Sequence, residues 1–433
     1  MAIASPNTDT SVTVTSTNQS YGAPLATVTT LFFMWGFLTC LNDILVPHLK
    51  SIFDLNYTKV MLIQFAFFGA YFIFSIPSAK VIDWIGYQRS MVGGLLTMGL
   101  GAFLFVPAAS VPSYPLFLGA LIVLAAGITC LQVAANPYVT VLGKPETASS
   151  RLNLTQAFNS LGTFLAPFFG GLFILTTAPN MAEIRALSPD ALQAFRLHEA
   201  ATVKMPYVGL GVALVLLAIA IGSFKLPKIE HAQHQLGQKV NDSIWKHPNL
   251  IFGAIAIFVY VGAEVSIGSF LVNYFSQPEI GGLTEKVAAS FVAFYWGGAM
   301  VGRFIGSALL QKMKTGGLLG ICAICASVLV AVSMLTNGHV AMYSIILVGF
   351  FNSIMFPSIF TLGVAELGPL TGDGSGIMIM AIVGGAIIPV AQGWIADRIG
   401  IHHAFFLPVI CYLYILFFAL SGSKPNSERY AKV

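Results

Sequence analysis

Twelve long apolar stretches recur along this chain, and they limit the folds that it can adopt. Hydrophobic residues make up 56% of the 433 residues and charged residues only 9%, too few to cover the surface of a water-soluble protein. About twenty apolar residues, rising about 1.5 Å each, cross the hydrocarbon core of a bilayer. The stretches are centred near Gly36, Tyr71, Gly101, Gly127, Pro167, Leu214, Val261, Gly298, Ala326, Leu347, Gly385 and Leu413. The sequence therefore predicts an all-α, polytopic membrane protein with twelve transmembrane helices.

The order of small and helix-bending residues repeats in two pairs of these spans. The fifth and eleventh spans match at an offset of 222 residues, and the fourth and tenth match at an offset of 220. The matched residues are Gly162 with Gly384, Pro167 with Pro389, Gly171 with Gly393, Gln132 with Asn352, Pro137 with Pro357 and Gly143 with Gly363. Constant offsets of this size predict two pseudo-symmetric six-helix bundles. In transporters built from two such parallel halves, the substrate site lies between the halves near the middle of the membrane.

The polar segments between and around the spans predict the domain boundaries. We expect a disordered cytoplasmic tail at 1–24, an N-terminal six-helix bundle at 25–224, a basic cytoplasmic linker at 225–247, a C-terminal six-helix bundle at 248–421 and a cytoplasmic tail at 422–433. Most of the 21 Lys and Arg residues fall on the linker's side, which predicts that both termini are cytoplasmic. A net charge of +4 is normal for such loops and requires no nucleic-acid partner.

Two acidic residues lie inside apolar spans, where a charge is costly. Asp43 interrupts the first span, and Glu264 interrupts the seventh. An ionisable side chain near the centre of a membrane helix costs about 2.5–3.5 kcal/mol on insertion, so such residues commonly serve an ion pathway or a polar ligand. Asp43 and Glu264 are therefore candidate cation-coupling residues. The alternative is structural: a hydrogen-bonding role for Asp43, and an ion pair with Arg303 for Glu264.

Four amide side chains in the fourth and fifth spans form a candidate sugar site. Gln132 and Asn136 are four residues apart, and Gln156 and Asn159 are three apart, so each pair shares one helix face. Amides both donate and accept hydrogen bonds, which suits the vicinal hydroxyls of a sugar. At the positions 222 residues after Gln156 and Asn159, the second half is apolar. Hydrogen bonding between the helices is the alternative role for these amides.

Other sequence features narrow the class of protein. Trp35, about two turns before Asp43, offers a ring suited to the apolar face of a sugar, with helix packing as the alternative. The CxxC of Cys322 and Cys325 lacks the second ligand pair of a zinc site, so we expect no metal. No HExxH, GxSxG or GxxxxGK[ST] motif occurs, so the sequence predicts neither an enzyme nor an ATP-driven pump.

Four stretches carry a family resemblance: MWGFLTCLNDILVPHLK, LQVAANPYVTVLG, SRLNLTQAFNSLGTFLAPFFGG and FPSIFTLGVAELG. They resemble the L-fucose:proton symporter family of the major facilitator superfamily, including its glucose/galactose transporter branch. The resemblance extends from Leu31 to about Leu420. It implies the fold of that superfamily and uptake of a monosaccharide, such as glucose or galactose, through the bacterial inner membrane by alternating access. A monosaccharide and the lipid bilayer are then the expected partners, and we expect the chain to act as a monomer.

The resemblance assigns further residues and shows a departure. The family's LND motif falls on Asn42 and Asp43, and Asn42 joins the candidate substrate-binding residues, as does Asn352, the counterpart of Gln132 in the repeat. The fucose symporter has a glutamate where this sequence has Gln132, and an amide where this sequence has Glu264. Because the acidic groups are redistributed, the coupling ion, H⁺ or Na⁺, stays open.

The mechanism expected from these residues is a coupled one. Asp43, alone or together with Glu264, must be neutralised by H⁺ or Na⁺ before the loaded carrier turns over, and no cofactor besides that ion is expected. A permease for N-acetylglucosamine or L-fucose is the alternative within the same family. A sugar sensor or receptor that binds without transport is the alternative from a different class.

Overall fold

The computed structural model describes residues 21–53, 57–111, 113–173, 188–202, 204–224, 226–227 and 243–425. Within some helices only the backbone is described, most extensively at residues 38–53, 57–62 and 167–173. All regular structure in the described ranges is helical, as the apolar stretches predict. The tails and the linker predicted at 1–24, 225–247 and 422–433 lie mostly outside these ranges, and their boundaries stay predictions.

The N-terminal half consists of long helices that pack against one another. The elements are α1 (Gly22–Phe53), α2 (Tyr57–Ile85), α3 (Tyr87–Ser110), α4 (Tyr114–Val141), α5 (Ala148–Phe173), α6 (Pro189–Thr202) and α7 (Lys204–Ser223). α1 packs on α5, and α4 packs on α2 and α3. Gly86 alone connects α2 to α3, and its φ of 80° lies in the left-handed region that favours glycine.

The C-terminal half follows the same plan with more interruptions. Its elements are α8 (Pro248–Phe275), α9 (Glu285–Leu309), α10 (Thr315–Leu335), α11 (Gly338–Asn352), α12 (Met355–Gly363), α13 (Thr371–Met380), α14 (Gly384–Ile399), α15 (Ile401–Ala404) and α16 (Phe406–Phe417). Among the described residues, ten helical segments are long and apolar enough to cross a membrane, and α1 and α5 occupy the places of the other two spans. Each of the twelve predicted centres lies in a helix, which confirms the fold class.

The matched glycines of the repeat have the same packing role in both halves. A Cβ on Gly162 of α5 would overlap the carbonyl oxygen of Phe33 on α1. A Cβ on Gly384 of α14 would overlap the carbonyl oxygen of Phe258 on α8. In each half, the fifth span therefore approaches the first span closely at a position where only glycine fits.

The matched prolines each release one backbone carbonyl, because proline lacks the N–H that would donate to the residue four positions earlier. Pro137 in α4 frees the carbonyl of Val133, which accepts a hydrogen bond of 2.9 Å from Ser375 Oγ. Pro357 in α12 frees the carbonyl of Ser353, which accepts one of 3.3 Å from Arg303 Nε. The two spans differ in outcome, since α4 continues through its proline while the tenth span breaks at 353–354, between α11 and α12.

The two halves meet at one end of the molecule, called here the closed end, which contains the α2–α3, α4–α5 and α9–α10 connections. α2 packs against α13 there, and α5 packs against α9 and α12. The hydrogen bonds between the halves that the described residues make extend from this end to the depth of Ser160, twelve residues after the start of α5. They join Lys80 to Asp373, Ser149 to Thr361 and Thr315, Ser150 to Ser307, Asn153 and Ser160 to Arg303, and Ser375 to Val133.

Candidate functional site

Three of the four candidate amides lie near the middle of the membrane, and Asn136, five residues before the end of α4, lies closer to the closed end. Gln132 precedes the end of α4 by nine residues, and Gln156 and Asn159 follow the start of α5 by eight and eleven residues. At about 1.5 Å per residue, these positions are about 12–17 Å from the closed end, against a hydrocarbon core of about 30 Å. The depth is the one expected for a substrate site between two parallel halves.

Three of the four amides present buried atoms with no hydrogen-bond partner among the described residues. These atoms are Gln132 Oε1, Asn136 Oδ1 and Nδ2, and Gln156 Nε2. The other end of the Gln132 amide is engaged, because its Nε2 donates to the Tyr71 hydroxyl at 2.6 Å. An unpaired buried polar group costs about 1–3 kcal/mol, so a partner that enters from outside, such as a sugar hydroxyl, would be favoured here.

Asn159 forms a hydrogen bond between helices, which was the predicted alternative to sugar binding. Its Nδ2 donates to the carbonyl oxygen of Phe32 on α1 at 2.8 Å. A Cβ on Gly36 would overlap the Asn159 backbone, so α1 and α5 cross at this point. In this structure the Asn159 nitrogen therefore ties α5 to α1 beside the unpartnered amides.

The first span brings Trp35 to the same level. Trp35 precedes Gly36, is 9% exposed, and its ring lies 5.4 Å from that of Phe32, tilted by 54°. This geometry packs the indole at the α1–α5 crossing. Asn42 and Asp43 lie further along α1, and their side chains fall outside the described part of the chain.

The second acidic residue of the spans, Glu264 on α8, is held by a tyrosine. The Tyr260 hydroxyl donates to Glu264 Oε1 at 2.8 Å and also lies 3.1 Å from the carbonyl oxygen of Asn352. Glu264 itself is half-buried, while Tyr260 is 1% exposed. Tyr260 therefore orients the carboxylate from the buried side of Glu264.

Glu264 and Arg303 form no ion pair within 4.0 Å among the described salt bridges. The Arg303 guanidinium instead binds Ser160 Oγ of α5 and the Ser353 carbonyl. Arg303 is nevertheless close enough to act electrostatically on Glu264. The structural alternative predicted for Glu264 is thus not realised in this conformation.

Asn352 is a buried supporting residue in this structure. Its side chain is 0% exposed, its Nδ2 donates to the Tyr295 hydroxyl at 2.8 Å, and its Oδ1 has no partner in the part of the chain that the structure describes. The contact repeats that of Gln132 with Tyr71 in the other half. Tyr71 and Tyr295 are 224 residues apart, close to the repeat offset, and the sequence reasoning missed both. A search of the repeat for matched tyrosines as well as glycines and prolines would have found them.

The described residues contain no group of three or more His, Cys, Asp and Glu side chains arranged to hold a metal ion. The polar chemistry at mid-depth is instead that of amides, tyrosine hydroxyls and a carboxylate. Such groups bind neutral hydroxylated molecules and exchange small cations.

Comparison with known proteins matches this chain to one family. The sequence profile of the Major Facilitator Superfamily matches residues 26–382. The glucose/galactose transporter of Brucella abortus biovar 1 (strain 9-941) is 54% identical over 424 residues, which cover 98% of this chain and all of that protein. The putative glucose/galactose transporter of Helicobacter pylori (strain J99) is 46% identical and covers 93% of this chain and 98% of its own length.

More distant relatives include a symporter with a solved structure. The L-fucose-proton symporter of Escherichia coli (strain K12) is 36% identical over 94% of both chains. A crystal structure of the Escherichia coli fucose:proton symporter in the outward conformation superimposes with a TM-score of 0.87 at 34% identity, covering 94% of this chain and all of that chain.

Proposed function

This chain belongs to the Major Facilitator Superfamily and is a sugar transporter rather than an enzyme, and from that premise we propose that it takes up a hexose by cation-coupled alternating access. The observation that carries the proposal is the set of unpartnered amide atoms on α4 and α5 between mid-depth and the closed end. Hydroxyl groups of a sugar would satisfy them. Each such hydrogen bond contributes about 0.5–1.5 kcal/mol.

The substrate proposed is glucose or galactose. The relatives at 54% and 46% identity are glucose/galactose transporters by name, whereas the fucose symporter is 36% identical. Gln132 also differs in charge from the glutamate expected of a fucose symporter. L-Fucose and N-acetylglucosamine are therefore the competing substrates of the test.

The coupling ion proposed is H⁺. The Escherichia coli relative is a proton symporter by name, and the two acidic residues in the spans, Asp43 and Glu264, are each able to carry one proton. A proton removes the charge of a carboxylate without demanding a shell of oxygen ligands. Na⁺ is the competing ion.

The orientation proposed has both termini in the cytoplasm and the closed end facing it. The basic loops on that side support this orientation, and so does the similarity to a solved relative in the outward conformation. The candidate site lies between two halves of one chain, which supports function as a monomer in the bacterial inner membrane.

The test is counterflow of labelled sugar by the purified full chain in proteoliposomes. Vesicles preloaded with unlabelled glucose or galactose should accumulate the labelled sugar transiently, and external glucose or galactose should compete better than L-fucose or N-acetylglucosamine. Saturable binding without any counterflow would instead identify a non-transporting sensor. Stronger competition by L-fucose or N-acetylglucosamine would reassign the substrate.

A further inference from the structure

The break in the tenth span anchors a basic residue directly and an acidic residue through a tyrosine. The backbone carbonyls of Asn352 and Ser353 are adjacent at this break, and each accepts a hydrogen bond from a different side chain. The Asn352 carbonyl lies 3.1 Å from the Tyr260 hydroxyl, which donates to Glu264. The Ser353 carbonyl accepts from Arg303 Nε at 3.3 Å. One backbone segment therefore sets the positions of both Glu264 and Arg303 within the C-terminal half.

Arg303 also reaches out of its own half. Its guanidinium donates to Ser160 Oγ on α5, and its backbone carbonyl accepts a 2.6 Å hydrogen bond from Asn153 Nδ2. Ser307, about one turn nearer the closed end than Arg303, exchanges hydrogen bonds with Ser150 of the other half. In this structure, in which the closed end is closed, the guanidinium is thus bound to the other half.

We propose that Arg303 is a state-dependent counter-ion for Glu264. This inference rests on the proposed function, because it requires that the closed end opens during transport. Opening separates α5 from α9 and removes Ser160 from the guanidinium, while the Ser353 carbonyl keeps Arg303 near Glu264. The freed guanidinium then pairs with the carboxylate and takes the place of the coupling cation, which leaves toward the cytoplasm.

Among the described residues, the other groups that interact with Glu264 carry no compensating charge. Tyr260 donates a hydrogen bond to it, and Tyr295 and Tyr412, on which its charge acts, are buried phenols like Tyr260. Arg303 is the cation that the described residues place near it. An empty carrier with an ionised Glu264 therefore requires Arg303 in order to return without an unpaired charge in the membrane.

The experiment compares net transport with exchange in proteoliposomes that contain the full chain and labelled galactose or glucose. Arg303→Gln should keep counterflow, which does not involve the empty carrier, and should lower net efflux down a sugar gradient at least about tenfold, because an unpaired buried charge opposes the return step. Glu264→Gln alone should also impair net efflux, since it leaves Arg303 unpaired. The double variant, R303Q with E264Q, should restore net efflux but not accumulation.

Rescue by the second substitution separates a charge partnership from a purely structural role. Lys312→Gln, which removes an exposed positive charge from the α9–α10 turn, is the matched control and should transport normally. If Arg303→Gln does not fold, Arg303→Lys takes its place. This variant keeps the positive charge, so it should keep net efflux, and adding Glu264→Gln to it should not increase net efflux. Normal net efflux in Arg303→Gln would overturn the assignment of Arg303 as the counter-ion of Glu264. So would a double variant whose net efflux is no faster than that of Arg303→Gln alone. Absence of counterflow in the unmodified protein would reject the proposed function instead.

Discussion

Gln132 and Asn352 occupy equivalent places in the two halves, and each donates its amide nitrogen to a tyrosine hydroxyl. The bonds, to Tyr71 and Tyr295, measure 2.6 and 2.8 Å, and the amide oxygen of each residue has no partner among the described residues. The repeat is therefore preserved in buried polar contacts as well as in helix packing. The halves diverge around this shared contact, because the N-terminal half adds unpartnered amide atoms on Asn136 and Gln156, whereas the C-terminal half has them on Asn249 and Gln392.

Removal of an unpartnered amide should weaken sugar binding. Asn136→Ala deletes two unpaired polar atoms at the candidate site and should raise the KM for sugar about 2- to 12-fold, equivalent to about 0.5–1.5 kcal/mol for a lost hydrogen bond. Concentration-dependent counterflow measures the change.

The control is Asn249, an equally buried amide whose Nδ2 donates to the carbonyls of Leu362, Gly363 and Ala365. Asn249→Ala should lower thermal stability and leave KM unchanged. An unchanged KM in Asn136→Ala would remove that residue from the site.

The first-span carboxylate should couple the ion to the sugar. Asp43→Asn keeps the shape of the side chain but cannot be charged, so this variant should lose accumulation against a gradient and retain counterflow exchange. Proteoliposome assays of both activities provide the comparison. Concentrative uptake by this variant would contradict the coupling role of Asp43.

The ion pair between Lys80 and Asp373, 2.7 Å long, should favour the closed state of the closed end. Lys80 is half-exposed, so the pair contributes only about 0.2–1 kcal/mol, and Lys80→Asp should shift the equilibrium toward the open state by about fivefold or less. Labelling of single cysteines placed inside the closed end reports this shift.

The reciprocal exchange supplies its control. Combining Lys80→Asp with Asp373→Lys should return labelling toward the original rate, although Asp83 lies 3.6 Å from Lys80 and will limit the recovery. Equal labelling in all three proteins would show that the pair does not bias the conformation.

The matched glycines should tolerate no side chain. Gly384→Ala would drive a methyl group into the carbonyl oxygen of Phe258, and such overpacking costs about 1–3 kcal/mol. The variant should therefore melt at a lower temperature in detergent. Gly297→Ala is the control, because a Cβ at Gly297 meets nothing within 4 Å. Equal melting temperatures would argue against the close approach of α14 to α8.

The fold was predictable because a membrane helix needs about twenty apolar residues, a signal that dominates each span. The repeat was predictable where it depends on glycine. At Gly162 and Gly384 any side chain would overlap the backbone of the neighbouring helix, so both positions require glycine. The different effects of Pro137 and Pro357 on their helices were not predictable. A proline determines which carbonyl loses its helical partner, but it does not determine whether the helix continues past it.

The sequence predicted which residues belong to the candidate site better than it predicted which partners they contact. Buried amides in an apolar span are unusual enough to identify Gln132, Asn136 and Gln156. The partners of Asn159 and Arg303 were not predictable, because one depends on where α1 crosses α5 and the other on which end of the molecule is closed.

Coupled hexose transport is tested by sugar accumulation under one imposed ion gradient at a time. Proteoliposomes containing the purified chain would receive labelled glucose, galactose, L-fucose or N-acetylglucosamine, with either an inward H⁺ gradient or an inward Na⁺ gradient. We expect accumulation of glucose or galactose with the H⁺ gradient alone, abolished by a protonophore. Equilibration without accumulation under both gradients would contradict coupled transport, and accumulation with Na⁺ alone would contradict coupling to protons.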